Sequence, residues 1–177
     1  MNGPLKVALF ACCMIFISAC SSVTVDRYSE YQPQLVAEKF FNGQLSAHGI
    51  VKDRSGQVIR YFSANIKAYW VDGIGTLDES FVFDDGEQQT RVWKLKPNAD
   101  GSYVATAGDV IGEGKMKVAG NSLFLDYVLR IPYGSGTIDL RIDDRMYLVS
   151  EKVLLNESIM TKWGFEVGQI TLVIEKE

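Results

Sequence analysis

Histidine is almost missing from this chain. His48 is the single one in 177 residues, which excludes metal centres built on several imidazoles. Cysteine is confined to Cys12, Cys13 and Cys20, so no disulfide can cross-link the body of the chain. An excess of positive charge is missing too. The 18 Lys and Arg are outnumbered by 22 Asp and Glu, the net charge is −4 and the pI is near 5.1, which argues against a nucleic-acid face. No P-loop, H-E-x-x-H, EF-hand loop, dinucleotide fingerprint or G-x-S-x-G elbow is spelled anywhere. Gly134-Ser135-Gly136 reads as a turn, and Gly112-Glu113-Gly114 lacks the third glycine and the following helix that phosphate binding needs. No cofactor, metal or nucleic-acid partner is expected, and the chain reads as a binding or structural protein before it reads as an enzyme.

Long apolar runs are also missing, with one exception at the N-terminus. Lys6 precedes an uncharged run from Val7 to Ile17, followed by Ser18, Ala19 and Cys20. That run is about half of the roughly 20 residues a membrane-spanning helix requires. Charge, apolar length and small terminal residues together match a secretory signal peptide. Ile17-Ser18-Ala19-Cys20 resembles a bacterial lipobox, which implies acylation of Cys20 with a diacylglyceryl group and an amide-linked fatty chain. Ser21 in place of aspartate implies sorting to the outer membrane of a Gram-negative envelope, on the periplasmic face. Removal of residues 1–19, whose only charge is Lys6, would leave 158 residues with a net charge of −5. That length can bury about two-thirds of its unfolded surface without disulfides.

The expected layout is a signal peptide over 1–19, a lipidated N-terminus and polar tether over 20–34, and one domain over 35–177. Val36 and Phe40 at helical spacing, stopped by Asn42-Gly43, predict one short helix. From Gln44 onward alternation dominates. Strands are expected over 45–53, 57–71, 76–84, 88–96, 102–107, 113–119, 122–132, 137–149, 152–161 and 166–175. Short links between long strands imply an antiparallel meander. Closing it into a β-barrel removes its edges, and a sandwich is the competing arrangement.

Two hairpins can be registered by counting. A turn at Asp84-Asp85-Gly86 pairs Phe83 with Glu87. Glu79 then faces Arg91 and Leu77 faces Trp93. Leu77, Phe81, Phe83, Trp93 and Leu95 share one apolar face, which therefore carries an inward Glu79 and Arg91. A turn through Tyr133-Gly134-Ser135-Gly136 pairs Leu129 with Leu140 and Leu125 with Asp144. That face is apolar apart from Asp144, and slipping by one residue would expose all of it.

An interior ion pair stabilises poorly compared with apolar packing. Glu79 and Arg91 therefore read either as an anchor for the head of an amphiphile or as a pair that holds register. The binding reading assigns Arg91 to an anionic head such as a fatty acid's, Glu79 to hold Arg91, Asp144 as a second polar group, and Trp93 with Phe81 as wall. Asp144 reads alternatively as an acid/base group on a lipid-like substrate, or as part of a structural network with Arg91 or Arg60. Ala64 and Ala68, small residues between Phe62, Ile66 and Trp70, either leave internal space or accommodate neighbouring bulk.

The same residues carry a resemblance. Phe40-Phe41-Asn42-Gly43, Leu77-Asp78-Glu79-Ser80-Phe81, Asp84-Asp85-Gly86-Glu87, Arg91-Val92-Trp93, Gly108-Asp109-Val110-Ile111-Gly112 and Asp143-Asp144-Arg145-Met146-Tyr147-Leu148 resemble the bacterial lipoprotein family numbered 3833 among the domains of unknown function, from about Phe40 to Lys176. The resemblance implies a lipocalin-like β fold, an envelope address and a lipid-related role. It brings no established activity and no catalytic residues.

Overall fold

The computed structural model describes residues 23–177. The expected signal peptide and Cys20 lie outside these residues. Ten strands follow in chain order: β1 Gly43–Asp53, β2 Val58–Val71, β3 Ile74–Phe83, β4 Gln88–Pro97, β5 Tyr103–Thr106, β6 Gly114–Ala119, β7 Ser122–Tyr133, β8 Gly136–Ser150, β9 Val153–Lys162 and β10 Phe165–Lys176. Each pairs antiparallel with its sequence neighbour, and β1 pairs with β10 to close a barrel. The meander is a barrel and not a sandwich, and closure gives every strand two neighbours, which removes the sheet edges.

Both counted registers hold. Glu79 lies opposite Arg91 and Leu77 opposite Trp93. Leu125 lies opposite Asp144 and Leu129 opposite Leu140. The inward sets alternate as a half-buried strand demands. Ala64, Ile66 and Ala68 of β2 are buried, as are Leu123, Leu125, Tyr127 and Leu129 of β7. The outer face of β7 and β8 carries ion pairs, Arg130 with Asp139 and Arg141 with Asp126. Among the described residues no helix is long and apolar enough to cross a membrane.

The two ends of the barrel differ. At one end the helix α1, Ala37–Phe40, stands at the start of β1. Phe40 and Phe41 are buried there edge to face, with ring centroids 5.2 Å apart. The Trp70 indole donates to the Phe41 carbonyl at 2.8 Å, and the Lys176 ammonium donates to the carbonyls of Phe40 and Asn42. These contacts plug that end. The other end is formed by the β1–β2, β3–β4, β7–β8 and β9–β10 hairpins and by the loop between β5 and β6, and it is open.

The described part of the expected tether, residues 23–34, is seated on the barrel for much of its length. Val25–Tyr28 forms a 3-10 turn with Val25 buried. Tyr28 packs edge to face on Phe124 and Tyr147, at 5.9 and 5.4 Å. Asp26 pairs with Lys117 at 2.7 Å, and the Leu35 amide donates to the Gly120 carbonyl. The segment is thus an attached strap and not a free linker, because its aromatic and apolar side chains find a surface. Gly120 permits the attachment: its φ is +56°, and a Cβ there would stand 1.7 Å from the Tyr28 carbonyl oxygen.

Candidate functional site

The barrel encloses a chamber of about 140 Å³. A wider vestibule of about 590 Å³ leads toward the open end. Phe62, Phe81, Arg91, Tyr127 and Ile170 line both spaces and so form the throat between them. Walls of Leu77, Trp93, Leu95, Met116 and Leu123 make the chamber mainly apolar. Six polar side chains enter it: Glu79, Arg91, Tyr127, Asp144, Asn156 and Ser158. Apolar walls with a few convergent polar groups are the ordinary composition of a small-molecule site.

All five interior candidates from the sequence reach this one place. Glu79 and Arg91 come from facing positions of β3 and β4. Trp93 and Phe81 are wall, and Asp144 enters from β8. Their pairing differs from expectation. Arg91 is not bridged to Glu79. It holds Asp109, in the β5–β6 loop, through a fork in which Nε and Nη2 both donate to Oδ2, at 2.9 and 2.7 Å. The loop is fixed in turn to β7: the Arg130 amide donates to the Asp109 carbonyl and the Ile111 amide to the Val128 carbonyl, both at 2.8 Å. Glu79 is therefore not needed to hold Arg91. Counting within hairpins does not show this, because the competing carboxylate lies outside any strand.

Glu79 is 9% exposed and its pKa is pushed up to about 7. Burial is the main cause; Arg91 opposes it, and Asp144 and Asp109 add to it. Asp144 is 5% exposed and pushed up to about 6, again by burial, against the pull of Ser158, Tyr127 and Arg91. Burial is the largest single influence on the Arg91 pKa and lowers it, but the hydrogen bonds to Asp109 and the charges of Tyr127, Glu79 and Asp109 together outweigh it and raise it. The buried Tyr127 hydroxyl is pushed well up by burial and then by Asp144. Three carboxyls thus surround one guanidinium.

Two buried acceptors are left without a hydrogen-bond partner, Asp144 Oδ1 and Asn156 Oδ1. Leaving such an atom unpaired costs about 1–3 kcal/mol. Both belong to residues of the chamber wall that are absent from the vestibule wall. Asn156 and Ser158 are not legible from pattern alone, because Leu155 and Ile159 make the other face of β9 equally apolar. Register would find Ser158, which lies opposite Asp144. Arg60 does not join the inner network. It stands at the mouth, 3.6 Å from the Phe83 ring centroid, and pairs with Asp85 and Glu87.

Fold and chamber together define a lipocalin-like β-barrel with an internal cavity. The chain belongs to the family described as Protein of unknown function (DUF3833), whose model matches residues 14–176. No curated protein matches the chain. Among solved structures it is similar to an S-type phycobiliprotein lyase, CPES, from Guillardia theta. The TM-score is 0.57 at 10% identity, over 81% of this chain and 94% of that one. It is also similar to Rv2717c from M. tuberculosis, with a TM-score of 0.54 at 15% identity, over 84% and 99% of the two chains. At these identities the likeness concerns the fold.

Proposed function

We propose that the protein is an outer-membrane lipoprotein, anchored through Cys20 on the periplasmic face, that holds a small amphiphile inside its barrel. The observation that carries the binding reading is the chamber. A barrel filled by its own side chains would serve a purely structural role, whereas this one keeps an apolar space into which Glu79, Asp144 and Asn156 project. Likeness to the phycobiliprotein lyase adds support, since a barrel of the same shape serves there in a protein that acts on other molecules. The anchor rests on the Ile17-Ser18-Ala19-Cys20 ending and on the stable attachment that two or more acyl chains provide.

Lipid extraction and native mass spectrometry of protein purified from its own envelope test the binding reading. A co-purifying amphiphile in stoichiometric amount supports it, and protein at its bare mass refutes it. Growth with a fatty-acid probe tests the anchor. Label should be lost with Cys20→Ala, and label retained in that variant refutes acylation at Cys20.

A second reading, catalysis on a lipid-like substrate, draws on the raised pKa of Asp144 in a cavity, where acid/base groups are often tuned in this way. Turnover of the extracted molecule by wild type, absent in Asp144→Asn, would establish it.

A further inference from the structure

The fatty-acid head expected at Arg91 meets an occupied partner. The guanidinium is already held by Asp109, and the remaining polar wall is made of carboxyls, an amide and the hydroxyls of Ser158 and Tyr127. A carboxylate entering here would join Glu79, Asp109 and Asp144 around a single cation. What the chamber does offer is unfilled acceptance: Asp144 Oδ1 and Asn156 Oδ1, in residues 5% and 4% exposed, have no donor. Asp144 lies opposite Ser158 and Met146 opposite Asn156, so the two acceptors come from inward positions two residues apart on neighbouring strands. Diagonal neighbours of this kind are separated by about 7–8 Å, a gap that two adjacent donors on one head can span.

Size fits the same conclusion. A cavity of about 150 Å³ holds one benzene, and a glycerol group has the same number of heavy atoms. The chamber of about 140 Å³ therefore suits a head of that size. The vestibule, walled by Phe83, Ile131, Leu140 and Met160, suits the chain behind it.

Building on the binding reading above, we propose that the ligand is a single-chain amphiphile with an uncharged, hydroxylated head, which enters head first and donates to Asp144 Oδ1 and Asn156 Oδ1. Such a head replaces the missing donors without adding charge. The order of insertion follows from the acceptors lying beyond the throat, on the plugged side of Arg91.

The test uses the full chain and three probes of equal chain length: 1-decanoylglycerol, decanoate and decylamine. Calorimetric titration at about pH 8, where both carboxyls are mainly ionised, should rank decanoylglycerol at least about tenfold tighter than decanoate, the equivalent of one lost hydrogen bond. Asp144→Leu and Asn156→Leu should each weaken decanoylglycerol by about tenfold. Asn156→Leu should unfold at the same temperature as wild type or higher, because an unpaired buried acceptor has been removed. Tightest binding by decanoate or by decylamine overturns the head assignment and leaves the binding reading standing. Decanoylglycerol binding unchanged in both variants also overturns it. Failure of all three probes, with no lipid in the native extract, overturns the binding reading itself.

Discussion

Arg91 of β4 and Asp109 of the β5–β6 loop are joined by a forked ion pair, with Nη2 2.7 Å from Oδ2, at the throat between chamber and vestibule. The arginine side chain is 18% exposed and the aspartate 37%. The pair thus ties a loop to the barrel wall at its narrowest point. Among the described residues, it also neutralises the only cation lining the chamber.

Because the pair is partly solvated, its disruption should cost less than that of a fully buried one. Asp109→Ala is expected to cost about 1–3 kcal/mol, below the roughly 3–5 typical of a dry pair. Arg91→Met should cost a similar amount, and Arg91→Met with Asp109→Leu should recover most of it. Urea midpoints of the three variants measure this. Additive losses would show that the two side chains do not act as a pair.

Stability should fall as pH rises from about 4 to 7. Folded Glu79 keeps its proton to about pH 7, against an ordinary 4.5, and folded Asp144 to about 6, against 3.8. Between those values the folded chain binds more protons than the unfolded one, so raising the pH favours unfolding. The full benefit is present below the unfolded values and is lost through the folded ones. Taken separately each shift is worth about 3 kcal/mol, since each tenfold gain in proton affinity is worth about 1.4, and the interaction between the two groups makes the combined effect less than the sum. Denaturation curves at several pH values should show it, with a flatter profile in Glu79→Gln. A profile that rises over this range would contradict the burial of both carboxyls.

Substitution at Gly120 should release the N-terminal segment. A methyl group there collides with the Tyr28 carbonyl and must adopt a left-handed φ. Gly120→Ala is expected to cost about 1–3 kcal/mol. Trypsin should then cut after Arg27 much faster than in wild type, while the barrel core stays resistant. Equal cleavage rates would mean that the segment is not held there.

The throat is sensitive to a second glycine. A Cβ at Gly49 would lie 2.4 Å from the Phe62 ring, and Phe62 lines both chamber and vestibule. Gly49→Ala should push the ring into the passage and slow ligand entry. Stopped-flow binding of 1-decanoylglycerol would show a lower association rate, and an unchanged rate would place the entry route elsewhere.

Much of this architecture can be read from alternation and turns. Asp144 and Glu79 stand out because each is an acid on an otherwise largely apolar strand face, and a two-residue period leaves no other way to place them. Hairpin register also puts Arg91 across from Glu79, because adjacent antiparallel strands obey a simple sum. The partner of Arg91 is not legible. Asp109 reaches it from a loop whose position depends on β7, a contact between segments far apart in sequence. Residues 25–34 mislead for a related reason. Their polarity suggests solvent, but Tyr28 and Val25 find a surface on β6 and β7 that only the folded barrel creates.

That docking has a consequence for direction. Val25 is fixed to the barrel wall, and only residues 21–24 separate it from Cys20. At about 3.4 Å per residue this leash spans less than about 20 Å fully extended. It leaves from the half of the barrel that Phe40 and Phe41 plug, beside Gly120 and Lys117. An acyl anchor on Cys20 would hold the plugged half down toward its own leaflet and aim the vestibule outward. Cargo would then be exchanged with the opposite side of the compartment, by a donor or acceptor facing the anchored surface, and not drawn up from the lipids in which the anchor sits.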